Sequence, residues 1–244
     1  MKIFEAKNVF KNFGGLQVTS DLSFDIRRGE FLGIIGPNGS GKTTLFNLMT
    51  NFVAPSSGHM YWKGEEITGL RPDAIAKKGI VRTFQITRVF PRLSIHQNLV
   101  IGHHLQHERS GDSVRAIPES IESLLAFFNF QDRRHILADS LAYGERKKLS
   151  VALALGCKPE MLLLDEPAAG LNETETEEMA EVLRKIRHRG ITQVLIEHDM
   201  KFVMGLCDRI ICLNSGRKIA EGTPQEMQRN DEVIKVYLGE GEMC

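Results

Sequence analysis

Residues 31–46 read FLGIIGPNGSGKTTLF, and the order of residue types along this stretch decides the fold. Five residues of apolar strand come first, then a glycine-rich turn, then a helix start. Gly36, Gly41, Lys42 and Thr43 fill every fixed position of G-x-x-x-x-G-K-[ST], the pattern of a phosphate-binding loop. Gly36, Gly39 and Gly41 let the backbone fold back and aim N–H groups inward, where a side chain would block an anion. Asn38, Ser40 and Thr44 lie in the same loop and join the candidate phosphate-binding set. The helix that follows directs its positive end at the same place. Lys42 would reach the β- and γ-phosphates, and the Thr43 hydroxyl would take one position on Mg²⁺. A chance glycine-rich turn accounts poorly for the stretch, because strand, loop and helix start occur in the required order.

The chain has 244 residues, enough for one large domain with a lobe or for two small ones. It carries 31 basic and 31 acidic residues, and a neutral total argues against general nucleic-acid binding through a basic surface. No apolar run approaches the ~20 residues that span a bilayer. The opening MKIFEAKN has no apolar signal-peptide core, so any action at a membrane is expected through a partner. Cys157, Cys207, Cys212 and Cys244 show no C-x-x-C spacing. They are expected to be reduced and mostly buried thiols.

Outward from the loop, residues 3–9 and 18–26 read as strands joined by a turn at Phe13, Gly14 and Gly15. Residues 59–62 read as a further strand, with Lys63 and Gly64 as a turn, giving a small antiparallel sheet beside the loop. A short helix is expected after Arg71 and Pro72, then a strand over 80–85. From about 86 to 157 the strand pattern gives way to helical spacing. Ile121, Leu124, Leu125 and Phe128 stand at i, i+3, i+4 and i+7, and a second helical pattern covers 141–155. Residues 161–165, MLLLD, return to the core as an apolar run ending in an acid, the look of a parallel strand buried on both faces. A helix over 173–189 has glutamates first and arginines last, and Gly190 stops it. Residues 191–196 form another strand, a helix follows Glu197, His198 and Asp199, and 209–213 with 218–220 make a hairpin. Thr223, Pro224 and Glu226 spell a capping box. The division expected is a nucleotide-binding core over 1–85 and 158–222, a helical lobe over 86–157, and a helical tail over 223–244.

Asp165 and Glu166 lie at the carboxyl end of the 161–165 strand, the end where α/β sheets bind ligands. Asp165 can hold Mg²⁺ there, and Glu166 is placed to polarise a water toward the γ-phosphorus. Behind a complete phosphate loop the pair points to nucleotide hydrolysis. His103 and His107 stand four apart, with His104 between them, but no third ligand has convincing spacing, so a solvated helix face is expected. The run Arg146, Lys147, Lys148 reads as an exposed helix start.

The segment from Leu141 through Ala142, Tyr143, Gly144 and Glu145 to Lys148, upstream of Asp165, resembles the signature motif of ATP-binding cassette (ABC) ATPases. Gln85 in RTFQ, the segment Ala169, Gly170, Leu171, Asn172, and His198 in IEHD fall in that family's order, and the resemblance covers nearly the whole chain. It implies an α/β P-loop core with an antiparallel β subdomain and an inserted α-helical subdomain. It further implies that Phe13, with Val18 nearby, packs on the adenine of ATP. Gln85 would touch Mg²⁺ or the attacking water, and His198 would contact the γ-phosphate. Ala142, Tyr143 and Gly144 would cap the nucleotide of a second cassette, identical or related, so that ATP closes a head-to-tail dimer. Read without the family, Phe13 fits a core or turn position nearly as well, and Gly144 is a helix-start glycine.

Ala142, Glu145 and Asn172 are departures from the common family pattern. Ala142 stands for a serine, Glu145 for a glutamine, and Asn172 for an aspartate. The strings LAYGE, LDEPAAGLN and VIKVYLGEG look like ATP-binding subunits of branched-chain amino acid importers. That likeness implies a peripheral subunit on the cytoplasmic face of the membrane, held by transmembrane permease subunits and served by a periplasmic substrate-binding protein. An exporter cassette, including lipopolysaccharide export, and a soluble ABC ATPase are the alternatives.

Overall fold

The computed structural model describes residues 1–83, 89–104 and 120–238. Gln85, His107 and Cys244, with the last residues of the tail, fall outside that set, and so do the expectations placed on them. Of the histidine group, only His103 has a described side chain.

In chain order the elements are β1 (Lys2–Phe13), β2 (Leu16–Arg27), β3 (Phe31–Ile35), α1 (Lys42–Met49), β4 (Ser57–Trp62), β5 (Glu65–Glu66), α2 (Pro72–Lys77) and β6 (Ile80–Arg82). Then come α3 (Ile95–His104), α4 (Ile121–Phe127), α5 (Tyr143–Gly156), β7 (Met161–Asp165), α6 (Glu173–His188), β8 (Thr192–Ile196) and α7 (Met200–Leu206). The chain closes with β9 (Arg209–Asn214), β10 (Arg217–Gly222), α8 (Pro224–Gln228) and α9 (Asp231–Leu238). Two antiparallel long strands, β1 and β2, pair with β4 and β5 in the order β2-β1-β4-β5. The second sheet runs β10-β9-β3-β8-β7-β6, and all neighbours in it are parallel except β9 and β10.

Strand side chains alternate between faces, and this explains why β3 and residues 161–164 of β7 are apolar. Phe31, Ile35, Leu162 and Leu164 enter a core shared with α5, α6, α7 and the helices α3 and α4. Leu32, Ile34, Met161 and Leu163 enter a second core, shared with α1 and the antiparallel sheet. The central sheet is therefore sandwiched, and its carboxyl edge is where loops are free to differ. Helices α3, α4 and α5 all fall between β6 and β7, which are direct neighbours in the sheet.

Local signals set several ends. Asn172 caps α6: its side chain accepts from the Glu175 N–H at 2.9 Å, and Glu175 accepts the Asn172 N–H at 3.1 Å. Such a cap contributes about 1 kcal/mol. Asn172, one of the departures from the family pattern, thus serves as a helix cap. The Thr223–Glu226 box closes α8 in the same way. Helix α5 starts at Tyr143, with Leu141 in extended backbone, two residues later than the apolar pattern suggests. Glu145 accepts the Ala142 N–H at 3.1 Å and pairs with Arg133, whose guanidinium holds the Glu145 carboxyl below its ordinary value.

Lys147 corrects a second expectation. Its charge run reads as solvated, yet Lys147 is only 4% exposed, because its turn of α5 faces the segment after β7. The described cysteines agree with the thiol reading: Cys207 and Cys212 are buried, and burial raises the Cys212 thiol to about 12.

Candidate nucleotide site

The register of the parallel sheet assembles the site. Ile196 at the end of β8 pairs with Ile34 of β3 on one side and with Asp165 of β7 on the other. The phosphate loop, the acid pair and the Glu197–His198 dipeptide therefore leave the sheet side by side at one carboxyl edge.

The loop closes tightly. Gly36 has φ 148°, and a Cβ there would stand 2.1 Å from the Leu213 carbonyl oxygen. Gly41 caps α1 at φ 101°. The Lys42 ammonium donates to the carbonyls of Gly36 at 2.6 Å and Pro37 at 2.9 Å, so a buried cation lies inside the loop. The Ser40 hydroxyl is buried with no hydrogen-bond partner among the described residues. An orphaned buried hydroxyl beside a buried ammonium, at a helix start, suits an oxyanion. Asn38, Gly39 and Thr43 are exposed, and Thr44 is half-buried.

The hairpin turn of β9 and β10 braces the loop from behind. The Gly216 N–H donates to the Ser40 carbonyl at 3.0 Å, and the Gly216 carbonyl accepts from Ser20 N–H at 2.9 Å. A Cβ on Gly216 would lie 2.2 Å from the Val18 carbonyl oxygen. Val18 is thus beside the loop. Phe13 stands at the outer end of β1, 48% exposed, with the Lys11 ammonium 4.8 Å from its ring centroid. An aromatic left that exposed is not a core residue.

Asp165 is buried, and its Oδ2 accepts from the Arg82 guanidinium at 2.6 Å. Arg82 donates also to Asn47 Oδ1 of α1 at 2.6 Å and lies 5.4 Å from the Phe46 ring centroid. Asp165 is so tied to the helix that begins in the phosphate loop. Nothing in the sequence singles out Arg82, although RTFQ contains it, because its role depends on β6 lying beside β7.

Glu166 takes left-handed backbone, φ 48°, and its Oε1 lies 3.0 Å from His198 Nε2. Its N–H donates to the Ile196 carbonyl at 2.9 Å. Glu197, between Ile196 and His198, is a second residue whose role the fold shows. Its buried carboxylate accepts from Ala168 N–H at 2.6 Å and His198 N–H at 3.0 Å, and burial raises its pKa above the ordinary value. It fastens the backbone on both sides of the Glu166–His198 contact. The string IEHD carried that signal, an acid directly after a buried strand.

Ala142 and Tyr143 are exposed and Gly144 buried at the start of α5. They do not join the carboxyl edge. They pack instead on the segment following Glu166: a Cβ on Gly144 would lie 2.6 Å from Glu175 Oε1, and one on Gly170 3.1 Å from Tyr143 Cε1.

A phosphate loop, an acid pair and a histidine in register on a parallel sheet, with an antiparallel sheet and a helical layer on its two faces, define an ABC-type P-loop nucleotide-binding fold. The family profile described as ABC transporter matches residues 19–169, and one described as branched-chain amino acid ATP-binding cassette transporter matches residues 217–242. The chain belongs to the ABC transporter family and is an ATPase cassette of it. It is 38% identical over 250 residues to the high-affinity branched-chain amino acid transport ATP-binding protein LivG of Salmonella typhimurium, covering 98% of both chains. It is 38% identical over 251 residues to the corresponding protein BraF of Pseudomonas aeruginosa, with the same coverage. Identity is 31% over 240 residues to the lipopolysaccharide export ATP-binding protein LptB of Haemophilus influenzae, again covering 98% of each. The fold matches a crystal structure of the ADP conformation of an ATP-binding cassette of an ABC transporter, with TM-score 0.86 and 28% identity over 98% of this chain and 99% of that one.

Proposed function

We propose that this chain hydrolyses ATP to drive import of branched-chain or related amino acids through partner membrane subunits. The observation that carries the substrate class is the match of residues 217–242 to the branched-chain cassette profile, together with identity to LivG and BraF along the whole chain. No helix among the described residues is long and apolar enough to cross a membrane, which agrees with a peripheral subunit.

In this reading the loop N–H groups, Ser40 and Lys42 receive the phosphates, with Lys42 exchanging its carbonyl bonds for phosphate oxygens. Phe13 offers its exposed ring to the adenine beside Val18. Thr43, Asp165 and Gln85 would hold Mg²⁺, whose chemistry is to neutralise charge on the β- and γ-phosphates. Asp165 has Oδ1 for that purpose while Oδ2 is engaged by Arg82. Glu166 accepts a proton from the water that attacks the γ-phosphorus, and ADP and inorganic phosphate are released. His198 holds the Glu166 carboxylate in place and faces the γ-phosphate. Ala142, Tyr143 and Gly144 complete the site of a second cassette, so binding energy for ATP appears as closure of two chains.

Between α2 and β6 on one side and α3 and α5 on the other lies a groove of about 600 Å³, lined by Phe52, Ile75, Val81, Phe90, Ile101 and Leu153 among others. Phe52 and Phe90 are about half exposed. This groove suits a short apolar helix of the membrane subunit, and β6 leads from it straight to Arg82 and Asp165. The test is reconstitution of the full chain with its membrane subunits and binding protein in vesicles. ATP-dependent uptake of leucine, isoleucine or valine is expected. ATP-driven movement of lipid outward, with no amino acid uptake, would establish the exporter reading that the identity to LptB allows.

A further inference from the structure

Lys147 has no part in the chemistry described so far, yet it is buried on α5, three residues past Gly144. Its ammonium donates at 2.8 Å to the backbone carbonyl of Glu166. The same oxygen accepts the Ala169 N–H at 3.3 Å, closing the turn after the acid pair. The lysine bond is the shorter one and is charge-assisted, the stronger class of hydrogen bond. Glu166 needs such support, because its left-handed backbone is sparsely populated for a residue with a side chain and persists only when its surroundings hold it. One anchor is the Glu166 N–H on β8, which is rigid sheet. The other is Lys147, on the helix that carries the signature residues. The Tyr143 ring lies 5.6 Å from the same ammonium and packs on Gly170, while Gly144 abuts Glu175. The start of α5 therefore bears at several points on residues 166–175, directly after the acid.

We propose that Lys147 is a positioning residue that ties the signature end of α5 to the backbone of Glu166. Contact of a second cassette with Ala142–Gly144 is thereby felt at the base of this chain's own site. The inference rests on the reading above, in which Glu166 is the base and residues 142–144 cap the partner's nucleotide. Lys147 touches neither substrate nor reacting atoms; it acts through the direction in which Glu166 presents its carboxylate.

The test uses the full chain assembled with its membrane subunits. Lys147→Met keeps the length of the side chain and removes the ammonium. Turnover is expected to fall roughly 10- to 100-fold, as for a misplaced catalytic group, with KM for ATP and the thermal midpoint little changed. Lys147→Arg, which keeps the donor, is expected to recover at least part of the rate. In a Glu166→Gln background Lys147→Met is expected to reduce the residual single-turnover rate no further, because the group it orients is gone. Wild-type turnover in Lys147→Met, a loss that matches the loss of folded protein, or a full additional loss in the Glu166→Gln background would each overturn the inference while leaving Glu166 as base. Wild-type turnover in Glu166→Gln alone would overturn the underlying reading, and this inference with it.

Discussion

Replacing Arg82 by methionine puts the wiring of the site to a quantitative test. Arg82 and Asp165 form an ion pair at 2.6 Å with both side chains 5% exposed. Methionine keeps most of the stem but removes the guanidinium, whose Cζ lies 5.4 Å from the Phe46 ring centroid, and leaves the Asp165 carboxylate without its cation. Breaking a buried pair from one side costs about 3–5 kcal/mol. At roughly 2–4 °C per kcal/mol for a chain of this size, the thermal midpoint should fall by about 6–20 °C. Two controls separate the charge from the packing. The double variant Arg82→Met, Asp165→Asn removes the stranded charge and should be more stable than Arg82→Met alone. Magnesium chloride should raise the midpoint of Arg82→Met by binding the Asp165 carboxylate left without its cation, and should do less for the double variant. Thermal unfolding followed by circular dichroism reads all of these. A midpoint for Arg82→Met within about 2 °C of wild type, or a double variant no more stable than the single, would refute the pairing as the support of Asp165.

Lys42→Ala removes the cation buried inside the loop and is expected to lower turnover at least about 100-fold, the loss typical of one fixed electrostatic contact; phosphate release at the normal rate would remove the site assignment. Ala142→Ser restores the hydroxyl common in the family and should leave ATPase activity equal or higher, while a large loss would show that the small apolar residue is fitted to the paired site. Glu197→Gln leaves one of the Ala168 and His198 N–H groups facing an amide that cannot accept from both, a destabilisation of about 1–3 kcal/mol. Its pH dependence has a definite sign: the pKa of Glu197 is raised in the folded chain, so the stability it contributes is full below the ordinary carboxylate value and is lost as pH rises through the raised one. The gap in thermal midpoint between wild type and Glu197→Gln should therefore narrow as pH rises above the ordinary carboxylate range, and a widening gap would contradict the buried carboxylate.

What could be read in advance follows the range of the interactions. Strands β3 and β7 declare themselves because burial on both faces demands apolar runs, β8 because Val194, Leu195 and Ile196 follow one another, and the phosphate loop because its glycines and lysine are close in the chain. The cap at Asn172 and the box at Thr223 are local and equally plain. The contacts that the sequence does not disclose are long-range. Arg82 meets Asp165 across 83 positions, which only the pairing of β6 with β7 brings together. Lys147 sits in a charge run that looks solvated, and nothing nearby in the chain announces the Glu166 carbonyl it reaches. Gly216 reads as an ordinary turn glycine until β2 and the phosphate loop are seen on either side of it. The proposed roles of Ala142, Tyr143 and Gly144 come from family resemblance, since a site completed by a second chain leaves no trace in the spacing of the first.

The central claim, that Glu166 is the base of an ATP site closed by a second cassette, is tested most directly with the Glu166→Gln variant of the full chain, assembled with its partner cassette and membrane subunits and supplied with Mg·ATP. Phosphate release and the nucleotide retained on the closed pair are measured together. Release should fall by at least about 100-fold while intact ATP stays bound and closed pairs accumulate. Release at the wild-type rate, with ADP recovered from the protein, would contradict it.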